Sequence, residues 1–320
     1  MMIKVPILLT IVMTLNQTLS GDENKSPISG DLIIFHAGSL AVPFKGISEK
    51  FTQEYPDVRI LSESAGSRTC ARKITDLERS CDVMASADYT VIDELLIPEY
   101  ADWNLKFASN EMTIVYTDAS RKSAEINETN WYRILLDENV IFGRSDPDSD
   151  PCGYRAVLTI KLAEEFYNEP GLAKNFLVKN LNYIRPKEVD LLALLETGNI
   201  DYIFLYRSVA QQHGLKYILL PDEINLKKPE LSDYYKKARI KISGKTPGSF
   251  IEKIGEPMIY SITIPRNAPN PAAALEFVLF LLEKDRGLAI MERNGQPSII
   301  PTSTNTFNRL PEILKKYATQ

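Results

Sequence analysis

From residue 31 onward, short apolar runs alternate with segments whose apolar residues recur at helical spacing. The run 32–35 predicts a strand, and Phe44, Ile47, Phe51 and Tyr55 follow three or four residues apart, predicting a helix that ends at Pro56. A second strand is expected at 58–61, a helix over 72–77 and a third strand at 83–85. The rhythm resumes with a strand at 112–116, a helix at 131–136, a strand at 140–142 and a long helix over 151–167. A helix over 188–196, stopped by Gly198, leads into a strand at 202–206. A late strand at 258–264 and a helix carrying Ala274, Phe277, Val278 and Leu281 read as additions to the first set. Such βα alternation predicts an α/β fold in which each unit is a mainly parallel sheet flanked by helices. Ligands of such sheets bind in a crevice at the carboxyl ends of the strands.

At 320 residues the chain is too long for one ordinary core, so two lobes are expected. We place lobe I at 31–115 plus 215–320 and lobe II at 116–214, with the chain crossing twice between them. The charged, aromatic-dotted stretch 227–245 reads as a solvated connection. Residues 1–26 differ from the rest. Lys4 precedes an apolar run over 5–15 and then a small, polar stretch, the layout of a signal peptide or N-terminal anchor. That run is shorter than a bilayer span. Export is therefore expected, and Asn127-Glu128-Thr129 is a glycosylation acceptor pattern compatible with it.

A net charge of −5, with both signs interspersed, supplies no basic stripe for phosphate backbones and excludes nucleic acid as a partner. Cys70, Cys81 and Cys152 include no close-spaced pair of the kind that builds zinc or redox sites. A helix over 69–79 would hold Cys70 and Cys81 too far apart for a disulfide, so free, partly buried thiols are expected. His36 and His213 are the only histidines, and no nucleophile–base–orienter set is visible, which argues against an enzyme.

The candidate chemistry lies at strand ends. Gly38-Ser39 follows the first strand and Gly66-Ser67 the second, each where a helix begins. Glycine permits close approach of the backbone, and helix N-termini present unpaired N–H groups with a partial positive charge, so two of them in one crevice make an anion site. The bland alternative is that Ser39 and Ser67 merely cap their own helices. Asp150 followed by Pro151 marks another helix start. Asp146, Asp148 and Asp150 lack the glycine and terminal glutamate of a calcium loop. Glu188 at a helix start and Tyr206 at a strand end are unremarkable singly.

Together, five segments resemble the archaeal tungstate/molybdate-binding proteins of ABC transporters, a branch of the type II, two-lobed periplasmic-binding fold. They are residues 35–40 (FHAGSL), 64–67 (SAGS), 85–89 (ASADY), 150–155 (DPCGYR) and 201–210 (DYIFLYRSVA). The resemblance spans nearly everything after residue 30, and the 150–155 string is its most specific part. It implies oxyanion binding by Gly38, Ser39, Ser67, Asp150, Pro151, Cys152, Glu188 and Tyr206, with Asp150 and Glu188 reaching the molybdenum or tungsten itself. It also implies a bound molybdate or tungstate but no cofactor, a membrane permease and ATPase as partners, a monomeric chain and a location on the outer face of the cell membrane. Glu188 is placed by counting back from the Tyr206 strand, with Asp190 and Glu196 as alternatives.

Two carboxylates should repel a dianion. The conflict disappears if their oxygens coordinate the hexavalent metal and expand a tetrahedral oxyanion to a distorted octahedron, since hard oxygen donors suit such a centre. A sulfate- or phosphate-binding protein of the same fold would need neither acid. A hydrolase using the carboxylates as acid and base is the rival from another class.

Overall fold

The computed structural model describes residues 28–320, so the segment 1–26 expected to be an export signal lies outside the described residues. In chain order the first elements are β1 (Gly30–Ala37), α1 (Ala41–Glu54), β2 (Val58–Ala65), α2 (Ser67–Thr75), β3 (Val83–Ser86), α3 (Tyr89–Leu95) and β4 (Leu105–Ser109). The chain then enters a second sheet with β5 (Met112–Tyr116), α4 (Trp131–Leu136), β6 (Phe142–Ser145), α5 (Pro151–Phe166), β7 (Ile184–Arg185), β8 (Tyr202–Tyr206) and β9 (Lys216–Leu219). A hairpin of β10 (Arg239–Ser243) and β11 (Phe250–Ile254) precedes β12 (Ile259–Thr263), which returns to the first sheet.

Sheet one runs β2-β1-β3-β12-β4 and sheet two β7-β6-β8-β5-β9. In each, the fourth strand is antiparallel to both neighbours and the remaining strands run one way. The mainly parallel, two-lobed α/β architecture expected from the rhythm is thus present. Because β5 and β9 pair in sheet two, the first crossing falls between β4 and β5 and the second after β9, rather than at 115/116 and 214/215.

β1 shows how the sequence places its helices. Leu32 and Ile34 face one side with Phe44, Ile47 and Phe51 of α1, whereas Phe35 faces the other with Ala71 and Ile74 of α2 and Val91 and Ile92 of α3. A strand apolar on both faces belongs in the middle of a helix-covered sheet. In α5 the mostly buried sequence packs against β6 and β8, and Asp150 caps its start by accepting from the Cys152 N–H at 3.3 Å.

Several local expectations are corrected. The stretch 227–245 is not merely a solvated connection: it holds a helical turn (Ser232–Tyr235) and β10, and Ser243 and Gly244 accept hydrogen bonds from Arg68 and Arg72. The strand expected at 140–142 begins at Phe142. The helix expected over 188–196 opens as a 3-10 turn (Glu188–Leu191). α2 ends at Thr75, so Cys70 and Cys81 do not share a helix. All three cysteines are nonetheless free, and they are fully rather than partly buried. Cys70 Sγ donates to the His36 carbonyl at 3.5 Å and Cys81 Sγ to that of Val83 at 3.2 Å. No helix among the described residues is long and apolar enough to cross a membrane.

Candidate oxyanion site between the lobes

Three chain turns meet where the carboxyl ends of β1 and β2 face the start of α5. The first is Gly38–Leu40, a 3-10 turn running into α1; the second is Gly66-Ser67 at the start of α2; the third is residues 148–152. Glycine is required at the first two by close approach. A Cβ on Gly38 would stand 2.8 and 2.9 Å from the two Glu188 carboxylate oxygens, and one on Gly66 would stand 2.3 Å from the Ser149 carbonyl oxygen. The second lobe is therefore pressed onto both Gly-Ser turns of the first, and the lobes are closed.

Neither serine caps its helix. Ser67 is the first residue of α2, and its Oγ accepts the Ala87 N–H at 3.0 Å, across to the end of β3. Ser39 Oγ is bonded by the Tyr260 hydroxyl at 3.0 Å, and the Ser39 carbonyl accepts from Gln296 Nε2 at 2.9 Å. Both hydroxyls are held from behind by groups buried in lobe I, which the capping alternative does not account for.

Asp150 and Glu188 are each 1% exposed. The Glu188 N–H donates to Asp150 Oδ2 at 3.1 Å, bringing the two acids together. The Glu188 oxygens lie against the Asp150 carboxyl and the Ser39 backbone, where the two acids can share a proton, and no well-aligned donor reaches either oxygen. Burial first, and then the Asp150 charge, pushes the Glu188 carboxyl well above the usual range. Burial also raises Asp150, against the opposing pull of its hydrogen bonds. Of the alternatives for the second acid, Asp190 pairs with Lys187 at 3.6 Å and Glu196 is exposed, so neither enters the site.

Pro151, Cys152 and Tyr206 are also buried here. Pro151 occupies the first position of α5, and Cys152 Sγ lies 3.7 Å from the Phe204 carbonyl, with its thiol pushed far up by burial. Tyr206, at the end of β8, packs edge-on to Tyr260 at 6.5 Å. His36 is buried beside the first turn. Nδ1 donates to the Ala37 carbonyl and Nε2 accepts from Ser62, both at 2.8 Å, and burial holds the ring pKa down to about 4, so it is neutral.

The sequence reading assigned no role to a second buried cluster joining the lobes. Arg155, in the first turns of α5, donates to the Ala87 carbonyl at 2.6 Å and to the Tyr206 hydroxyl at 3.1 Å, and stands 3.7 Å from Asp88. The Tyr154 hydroxyl donates to Asp88. Burial alone would raise Asp88, but Arg155 and Lys253 hold it down to about 2. The available signal was an arginine set in an otherwise apolar helix, which must find partners inside the fold. The other acids of 146–150 diverge: Asp146 accepts from Asp148 N–H and Ser149, and Asp148 from Ser243 at 2.6 Å. Among the described residues no three His, Cys, Asp or Glu side chains form a metal-holding group.

Two mainly parallel lobes closed over a crevice of hydroxyls and backbone turns have the architecture of a solute-binding protein. The chain belongs to the bacterial extracellular solute-binding protein family, whose model matches residues 32–296. It is 50% identical over 294 residues to a solute-binding protein of Petrotoga mobilis, covering 91% of this chain and 90% of that one. It is 40% identical over 336 residues to the molybdate/tungstate-binding protein WtpA of Pyrococcus abyssi, covering 96% and 95%. The periplasmic molybdate-binding protein of Azotobacter vinelandii superposes with a TM-score of 0.60 at 14% identity, over 84% of this chain and 99% of that one, a likeness of fold.

Proposed function

We propose that this chain is the exported solute-binding component of an ABC importer, closing its lobes over molybdate or tungstate and delivering it to a membrane permease and its ATPase. Gly38, Ser39, Ser67, Asp150, Pro151, Cys152 and Tyr206 bind the oxyanion through hydroxyl and backbone groups. Asp150 and Glu188 complete an octahedron around the metal.

The observation that carries this reading is the pair of adjacent, fully buried acids, one of them with no well-aligned donor to either oxygen. A buried carboxylate without hydrogen bonds is unfavourable and is retained where a ligand supplies the missing partner. A hard cationic centre, screened by its own oxo groups, is such a partner. Sulfate and phosphate, whose central atoms do not expand their coordination readily, would leave the acids unpartnered and repelled. The WtpA relative supports the same ligand. Closure then shifts an open–closed equilibrium toward the form described here.

Calorimetric titration with tungstate, molybdate, sulfate and phosphate tests the proposal. Tight binding of tungstate or molybdate with weak or undetectable sulfate binding is expected. Tight sulfate binding with no response to tungstate overturns it.

A further inference from the structure

Resting on the oxyanion reading above, we infer that Arg155 is a positioning residue: it fixes the Tyr206 hydroxyl as a hydrogen-bond donor toward the bound ligand, and does so only when the lobes are closed. Arg155 is 2% exposed, and one terminal nitrogen, Nη1, donates both to the Ala87 carbonyl of lobe I and to the Tyr206 hydroxyl of lobe II. A guanidinium has donors and no acceptor, so the direction of the second bond is settled by chemistry alone. The Tyr206 oxygen accepts, and its own proton, which takes no acceptor among the described residues, remains for a ligand. A dianion whose outer atoms are all acceptors is bound best by hydroxyls whose oxygens are already occupied in this way.

Ser67 follows the same logic through the same residue, Ala87. Its Oγ accepts the Ala87 N–H while the Ala87 carbonyl accepts from Arg155, so the Ser67 proton is likewise free to point into the site. Arg155 and the backbone of Ala87 thus leave one hydroxyl of each lobe with its proton free. The arginine keeps its place through Asp88, 3.7 Å away, which is in turn held by Tyr154. Ala87 and Asp88 belong to lobe I and Arg155 to lobe II, so opening the lobes breaks the arrangement and frees the Tyr206 hydroxyl to turn.

A double-mutant cycle in tungstate affinity tests this. Arg155→Lys keeps the charge but not the planar fork. It is expected to weaken tungstate binding about tenfold, with Tyr206→Phe having a similar effect. If Arg155 acts through Tyr206, Arg155→Lys in the Tyr206→Phe background costs no more than about twofold further. Additive effects would show that Arg155 is only a clasp between lobes and overturn the inference. Should Arg155→Lys not fold, nitrogen-15 NMR of the arginine side chains decides it: adding tungstate should shift the Arg155 resonance clearly more in the parent protein than in Tyr206→Phe, where only the contacts with Ala87 and Asp88 form on closure. A tungstate-induced shift of equal size in the two proteins refutes the coupling. If the parent protein itself gives no tungstate response, the function proposed above fails and this inference with it, an outcome distinct from binding with additive effects.

Discussion

Replacing Glu188 with glutamine should move stability and affinity in opposite directions. In the closed form without ligand the Glu188 carboxyl is fully buried beside Asp150 with no well-aligned donor, and its pKa stands well above the ordinary 4.5. An acid whose pKa is raised by folding binds its proton more tightly in the folded state. Its contribution is therefore complete below the unfolded pKa and lost as pH rises toward the folded one, at about 1.4 kcal/mol for each unit of separation. Leaving a buried polar group unsatisfied costs about 1–3 kcal/mol. Glutamine has nearly the same shape, carries no charge and can donate to Asp150. The closed, ligand-free form of the variant should gain about 1–3 kcal/mol at pH 8 and almost nothing at pH 4, so the Tm of the empty variant rises by at most roughly 2–4 °C for each kcal/mol. Tungstate should narrow that difference. Ligand at about a thousand times Kd stabilises the parent protein by roughly 4 kcal/mol, and a variant bound at least tenfold more weakly loses at least about 1.4 kcal/mol of that. Scanning calorimetry of both proteins, with and without tungstate at pH 4 and pH 8, reads all of these quantities. A variant less stable than the parent when empty, or equally stabilised by tungstate, would refute the reasoning.

Gly38→Ala sets a methyl group against the Glu188 carboxylate at 2.8–2.9 Å and should abolish detectable tungstate binding while leaving the circular-dichroism spectrum unchanged. Gly66→Ala meets the rigid Ser149 carbonyl at 2.3 Å, so the lobes cannot close. Small-angle scattering with tungstate should show it staying extended where the parent protein contracts. Tyr154→Phe removes the hydroxyl that donates to Asp88 and should destabilise the closed form by about 1–2 kcal/mol, read as weaker tungstate affinity with little change in the Tm of the empty, open protein.

How far the sequence could be read follows from what each feature depends on. The strands β1, β3, β5 and β8 stand out as continuous apolar runs buried on both faces, and the helices packed on them carry apolar residues at a period of 3.6. β4, β9 and the β10–β11 hairpin were missed because their burial is decided by distant neighbours. β4 pairs with β12 about 150 positions later, and β10 and β11 carry exposed charged residues between their apolar ones. Gly38, Gly66 and Asp150 were legible because close approach and helix capping restrict which residues fit. The role of each serine was not. Ser39 and Ser67 sit where caps usually sit, and only the fold shows their hydroxyls bonded by Tyr260 and Ala87. Glu188 could be placed only by counting from the Tyr206 strand, because local patterning does not distinguish it from Asp190 two residues on, which faces half outward and pairs with Lys187. Arg155 lay within the most specific string, yet its partners Ala87, Asp88 and Tyr206 come from two distant stretches of chain, the first of them in the other lobe.

The account turns on whether the two buried acids touch the metal. X-ray absorption at the tungsten L3 edge, on free tungstate and on tungstate bound by the parent protein, reads that contact directly. The account predicts that the tetrahedral edge shape of the free anion gives way to that of a distorted octahedron with two longer oxygen distances, and that Glu188→Gln reverts toward the tetrahedral form. A bound anion whose edge and oxygen distances match those of free tungstate would contradict it.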